Sequence, residues 1–200
     1  MKATEWKRVV KPLLPDDDWA FRGRAVYRTP VRHVAVGLLA EGSGWSTGVY
    51  VHRLRLPLFV PGEDWTLDWS DRLGGGAHTW STDDGAELSA TVARALCEIG
   101  DEQDALRHIA DPVEKVNWRM LEDVAGSRVL LGQGGRALRT IEDALAEPRG
   151  RSWDSDLVDR LEELQQLLRE DGLAGAERVL EARAGRTAGA LGISRPSSPR

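Results

Sequence analysis

The residue best placed for nucleophilic chemistry in this 200-residue chain is Ser46, within Gly44-Trp45-Ser46-Thr47-Gly48. The spacing matches G-x-S-x-G, the nucleophile elbow of α/β-hydrolases. That chemistry requires a tight strand-to-helix turn, with oxyanion-binding amides at the start of the helix. The residues after Ser46 are Val49-Tyr50-Val51-His52, which read as a strand. The segment is therefore expected to be a hairpin rich in Gly and Ser, and a serine hydrolase acting through Ser46 stands only as an alternative.

Gly132-Gln133-Gly134-Gly135-Arg136-Ala137 fits G-x-G-x-x-A after the apolar triplet Val129-Leu130-Leu131. A dinucleotide site needs a parallel strand before the glycines and a second strand ending in an acid about 20 residues later. Residues 147–156 hold no such strand, so the glycines are expected to end one helical turn and start the next. His33, His52, His78 and His108 show no metal-ligand spacing, and no acids cluster beside them. Cys97, the lone cysteine, falls within an apolar helical stripe and is expected in the core. The acids at 16–18 and 83–84 occupy turn and cap contexts. The expectation is no catalytic residue, no cofactor and no bound metal.

What remains is binding chemistry. Between residues 20 and 60 six arginines (Arg22, Arg24, Arg28, Arg32, Arg53 and Arg55) stand against one acid, Glu41. On a free sheet face Arg22, Arg24, Arg28, Arg53 and Arg55 would form a basic stripe. Solubility and edge protection are the plain reading of such a stripe, and binding to an acidic protein surface is the functional one. A nucleic-acid-associated role is the alternative, since phosphate contacts need several cations. Of eight tryptophans, Trp65 and Trp69 lie in an acidic loop with Asp64, Asp68 and Asp71. Trp and Arg are enriched at interface hot spots. The candidate interaction residues are accordingly Trp65, Trp69, Arg72, Arg53 and Arg55.

Composition sets the bounds. A hydrophobic fraction of 41% and a charged fraction of 30% are those of a soluble globular protein. The net charge of −5 argues weakly against a dedicated nucleic-acid binder. A single cysteine allows no intrachain disulfide. No run approaches the roughly 18 apolar residues of a membrane span, and no signal-peptide core opens the chain, so the expected location is cytoplasmic.

The elements that must position these residues are few. Residues 19–59 carry the only sustained period of two, with expected turns at Thr29-Pro30 and Glu41-Gly42-Ser43-Gly44. In the first strand Phe21, Gly23, Ala25 and Tyr27 fall on one face, opposite Arg22, Arg24, Val26 and Arg28. The second, His33 to Leu39, is nearly all apolar and reads as the central strand. The third, Trp45 to Leu58, alternates Leu54, Leu56 and Leu58 with Arg53 and Arg55. Short connections make an antiparallel meander. A helix at 4–14 precedes it, with Thr4 as cap. Trp65, Leu67 and Trp69 suit a short fourth strand, and residues 78–80 an edge strand. Helices are expected from Thr82 onward, over 101–109, from Pro112 and over 128–146, the last interrupted by Gly132 and Gly134-Gly135. Two more follow over 152–170, capped by Ser152 or Asp154, and over 174–184.

The order of Lys11-Pro12-Leu13-Leu14, Phe21-Arg22-x-Arg24, Tyr27-Arg28, Val34-Ala35-Val36, Gly48-Val49-Tyr50-Val51 and Arg72-Leu73-Gly74 before Trp80 resembles bacterial DUF4304-type domains of unknown function. The likeness covers residues 5–82. Val36-Gly37-Leu38 departs from the Asn-Leu-Gln type of motif usual in that family. The resemblance implies a small α+β fold and no established chemistry. The expected architecture is an α+β sheet domain over 1–82, a region of antiparallel helical hairpins over 83–186, and a disordered tail over 187–200. The expected function is a non-catalytic cytoplasmic protein-interaction module, such as an accessory or immunity-like protein of a bacterial conflict or regulatory system. Its partner would be another protein.

Overall fold

A computed structural model describes residues 1–44, 46, 48–75, 78–113, 116–146 and 155–196, with the backbone alone for Thr82. The fold is α+β: an N-terminal helix, a five-stranded antiparallel sheet, then helices to the C-terminal part. Helix α1 spans Ala3–Val10, two residues earlier than Thr4 capping implies. Its first turn is closed by Glu5, whose carboxylate accepts the Lys2 amide at 2.6 Å, and Trp6 and Val10 bury its inner face.

The sheet runs in sequence order: β1 (Trp19–Arg22), β2 (Ala25–Arg28), β3 (Val34–Gly42), β4 (Val49–Pro57) and β5 (Asp71–Arg72). What the alternation predicts as one strand over 19–28 is a hairpin. Gly23 sits at φ +59°, in the left-handed region that glycine enters without a Cβ penalty. A two-residue loop beginning with Gly then folds β1 back on β2. The turn changes which side chains share a face, because residues opposite one another across antiparallel strands point the same way. Val26, Leu38, Arg53 and Asp71 form one row, and Ala25, Leu39, His52 and Arg72 the next, on the opposite face. Arg22 pairs with Ala25, so it lies on the face away from Arg53 and Arg55, and the five-arginine stripe is divided between two faces.

Both faces are covered. The hairpin α2 (Gly85–Glu98) and α3 (Glu102–Ala110) lies over the face of Val36, Arg53 and Arg55. Ser81 Oγ caps the 3-10 turn Thr82–Asp84 that leads into α2, accepting the Asp83 amide at 3.2 Å, and Asp101 Oδ1 caps α3, accepting the Asp104 amide at 2.9 Å. Each such cap is worth about 1 kcal/mol. The other face meets the 58–70 segment and the end of the last helix, through Trp65 against Tyr27 and Arg22 Nε donating to the Leu191 carbonyl at 3.1 Å.

The remaining helices are α4 (Leu121–Leu130), α5 (Gly134–Ala146), α6 (Ser155–Glu170) and α7 (Gly172–Leu191). The helix expected from Pro112 begins nine residues later, after a 3-10 turn over Trp118–Met120. Asn117 is the better cap; its Oδ1 accepts the Arg119 amide at 3.2 Å, while Val113 is left 98% exposed. The 128–146 segment is two helices. Gly132, at φ +75°, closes α4 in a Schellman turn, with Gln133 N–H donating to the Arg128 carbonyl at 2.8 Å. Residues 65–69 form no strand; the short edge strand is Asp71–Arg72, and Trp80 adds an isolated bridge to Val49. The expected caps Ser152 and Asp154 lie outside the described residues.

The tail does not begin at 187. Leu180, Ala184, Ala188 and Leu191 keep an i, i+4 apolar stripe through the last turns of α7, and Ile193 is buried beyond it. A single apolar cluster joins sheet and helices, from Trp6 and Leu38 through Leu88 and Ile109 to Leu161 and Leu180. Among the described residues no helix is long and apolar enough to cross a membrane.

Candidate functional site

The five nominated interaction residues do not form one surface. Arg53 and Arg55 lie under the α2–α3 hairpin: Arg53 Nη2 reaches Glu98 at 2.5 Å, and Arg55 Nη1 reaches Asp71 at 3.0 Å and the Trp69 carbonyl at 3.3 Å. Arg72, on the opposite face, holds its guanidinium 3.9 Å from the centre of the Tyr50 ring and is exposed. Trp65 is half-buried against Tyr27, ring centres 6.0 Å apart. Trp69 is 6% exposed, an interior residue where the sequence reading places it in a presented loop. Its indole N–H explains the burial, for it donates to Asp123 at 2.7 Å.

The motif residues take structural roles. Ser46 is exposed in the β3–β4 hairpin, where its Oγ accepts the Gly48 amide at 3.2 Å and a strand follows it. Trp45 and Thr47 of the same motif lie outside the described residues. Cys97 is exposed, on the solvent side of α2, and not in the core. His52 is buried between Ser70 Oγ, 3.3 Å from Nδ1, and Glu41, 3.2 Å from Nε2. Desolvation lowers its pKa, with Glu41 opposing. No group of three or more His, Cys, Asp or Glu is arranged for a metal among the described residues.

Two features stand out that motif reading missed. The first is on α4, where adjacent carboxylates point to different surroundings. Glu122, 1% exposed, accepts the Arg160 guanidinium at 2.8–3.1 Å through both oxygens and Arg183 at 3.1 Å. Arg183, itself 2% exposed, also reaches Glu163 at 2.5 Å and the Arg160 carbonyl at 3.3 Å. Asp123, 8% exposed, has no cation in hydrogen-bond contact among the described residues and holds only the Trp69 indole. Desolvation pushes its carboxyl up to about 7, more than the Trp69 hydrogen bond pulls it down, and Glu122 and Asp68 push the same way. The signal for Arg183 is in the sequence: it stands three residues after Leu180 and four before Thr187, on the buried stripe of α7. The Trp69–Asp123 pair spans 54 residues and leaves no periodic trace.

The second is a groove of about 950 Å³ between the β2–β3 connection, α3 and α7. Its floor includes Leu106 and Leu130, and charges of both signs surround them. His33 ties the walls together. Its Nδ1 is 3.1 Å from Glu102 on α3, and its Nε2 is 2.6 Å from Glu181 on α7. Glu102 also accepts the Arg32 and His33 amides at 3.0 and 2.9 Å, and Glu181 is held by Arg195 at 2.8 Å. Burial raises the Glu181 pKa, but Arg195 and His33 together outweigh it and leave the carboxyl below the usual range. The arrangement gives a braced groove with two leucines among charged residues of both signs. A scan of protein-family models, a search of curated proteins and a search of solved structures each return no match.

Proposed function

We propose that the protein is a non-catalytic cytoplasmic interaction module that docks a segment of another protein in the groove between α3 and α7. The observation that carries this reading is the groove itself: about 950 Å³, apolar at Leu106 and Leu130, and rimmed by Arg32, Asp101, Glu177 and Arg178. An apolar centre within a polar rim is the anatomy of a protein interface. A rim of both signs fixes the register of a polypeptide more than it attracts a polyanion, which favours a protein partner over nucleic acid. The His33 bridge holds the walls in place before binding, and preorganisation lowers the entropic cost of docking. An accessory or neutralising, immunity-like role in a bacterial system suits a chain that works by such docking.

The test is site-specific photocrosslinking in the native cell. A photoreactive residue at Gln103 or Ala174, on the groove, is expected to give one discrete protein adduct, and the same residue at exposed Arg139 none. Arg178→Glu is expected to weaken the adduct several-fold. Adducts equal at all three positions would contradict the docking reading, and adducts that vanish with nuclease would favour nucleic acid.

A further inference from the structure

His33 stands between the two helices that wall the groove, and both of its ring nitrogens face a carboxylate. Nδ1 is 3.1 Å from Glu102 on α3, and Nε2 is 2.6 Å from Glu181 on α7. We infer that His33 is a proton-operated clasp on this groove: as an imidazolium it ties α3 to α7, and loss of the proton lets the walls part. Its consequence for binding rests on the groove being the docking site.

Donor count decides the state of the ring. A neutral imidazole carries one N–H and one lone pair, whereas the imidazolium carries two N–H groups. Two carboxylates at hydrogen-bond distance on separate nitrogens are therefore both served only by the charged form. In the neutral form one nitrogen sets its lone pair against a carboxylate oxygen, and that contact turns repulsive. The ring is closely held, its side chain 13% exposed. Glu102 also accepts the Arg32 and His33 amides at 3.0 and 2.9 Å. Those two bonds keep the β2–β3 connection on α3, so α7 is the wall that gives.

The charges around the ring point the same way. Among the described residues the groove is lined by four acids, Asp101, Glu102, Glu177 and Glu181, and three arginines, Arg32, Arg178 and Arg195. The proton on His33 brings this set to neutrality, and its loss leaves one net negative charge between the walls. Burial alone would raise the Glu181 carboxyl, but Arg195 and His33 hold it below the usual range. It therefore stays ionised over the range in which histidine changes charge. Closed walls are preorganised for a partner, so docking is expected to weaken as pH rises from about 5 to about 8.

The test is the distance between the walls, read in the full chain without a partner. Nitroxide labels go on Gln103→Cys and Ala174→Cys, both exposed, with the exposed Cys97 removed as Cys97→Ser. Double electron–electron resonance is recorded at about pH 5 and about pH 8, the limits of the histidine range. The mean distance is expected to lengthen at the higher pH by about 2 Å, the size of an ordinary helix shift. His33→Gln, which takes up no proton, is expected to show the longer distance at both pH values. Glu181→Gln, which removes the charge on α7, is expected to lose most of the change. Near-UV circular dichroism of each variant checks that it is folded. A distance that does not change in the parent, or that changes equally in His33→Gln, would overturn the clasp. The docking reading is judged separately, by the crosslinked adduct at Gln103, so either can fail while the other stands.

Discussion

The two sides of α4 present neighbouring carboxylates to opposite conditions. On one side α6 and α7 bring Arg160 and Arg183 to Glu122, and the group is saturated by guanidinium hydrogen bonds. On the other side the 58–70 segment brings only an indole N–H to Asp123. Both residues are buried, by 99% and 92%. The difference teaches that burial alone does not set the state of an acid. Glu122 is part of the packing between helices, whereas Asp123 lines a cavity of about 290 Å³ and holds the Trp69 indole.

Breaking the first side should be the most damaging. Arg183→Met leaves Glu122 and Glu163 facing one another's charge with a partner lost, and removal of one member of a buried ion pair costs about 3–5 kcal/mol. Urea denaturation at pH 7 measures it. Replacing the set together, with Glu122→Leu, Arg160→Leu and Arg183→Met, is expected to cost much less, because apolar substitutes for a whole buried network are often neutral.

The second side should respond to pH with the opposite sign from an ordinary paired acid. The folded pKa of Asp123, about 7, lies above its unfolded value of 3.8. Between these values the native state holds a proton that the unfolded state has lost, so stability falls as pH rises through the window. The contribution is fully present below about 4 and gone above about 7, a change of about 4 kcal/mol at 1.36 kcal/mol per unit. Asp123→Asn does not titrate. It is expected to match the parent near pH 4 and to exceed it in stability at pH 8 by up to about 4 kcal/mol.

Trp69→Phe sharpens the contrast by removing the one side-chain donor on Asp123 among the described residues. A hydrogen bond to a charged group is worth about 1.5–3 kcal/mol, and Trp69 lowers the Asp123 pKa. The variant should therefore lose more stability at pH 8 than at pH 5, with the Asp123 midpoint displaced upward. The smallest effect is reserved for the sheet. Arg53→Ala breaks the contact to Glu98, whose carboxylate is half exposed, and such a pair is worth less than about 1 kcal/mol. Thermal unfolding should shift little.

The sequence discloses the sheet because its physics is local. Period-two alternation through Arg53, Leu54, Arg55 and Leu56, and the apolar run Val34–Leu39, each mark a strand within a few residues. The β1–β2 hairpin escapes that reading because Gly23 falls in phase with the alternation while its left-handed backbone folds the chain back. The interaction residues fail as a group for another reason: the β4–β5 register sets Arg72 beside His52, on the face away from Arg53, and Trp69 turns inward to Asp123. The α4 acids are harder. Glu122, Asp123, Val124, Ala125 and Gly126 are all buried, so α4 shows no polar face to read. The partners of Glu122 lie 38 and 61 residues away. Only Arg183, set in the apolar stripe of α7, announces from sequence that a buried anion must exist.

The most direct test is a carbon-13 NMR titration of the Asp123 side-chain carboxyl between pH 3 and pH 9, assigned by comparison with Asp123→Asn. A midpoint near 7, moving upward in Trp69→Phe, is the expected result. A midpoint near 4, as for an aspartate in water, would contradict the account of Asp123 as a buried acid held without a cation.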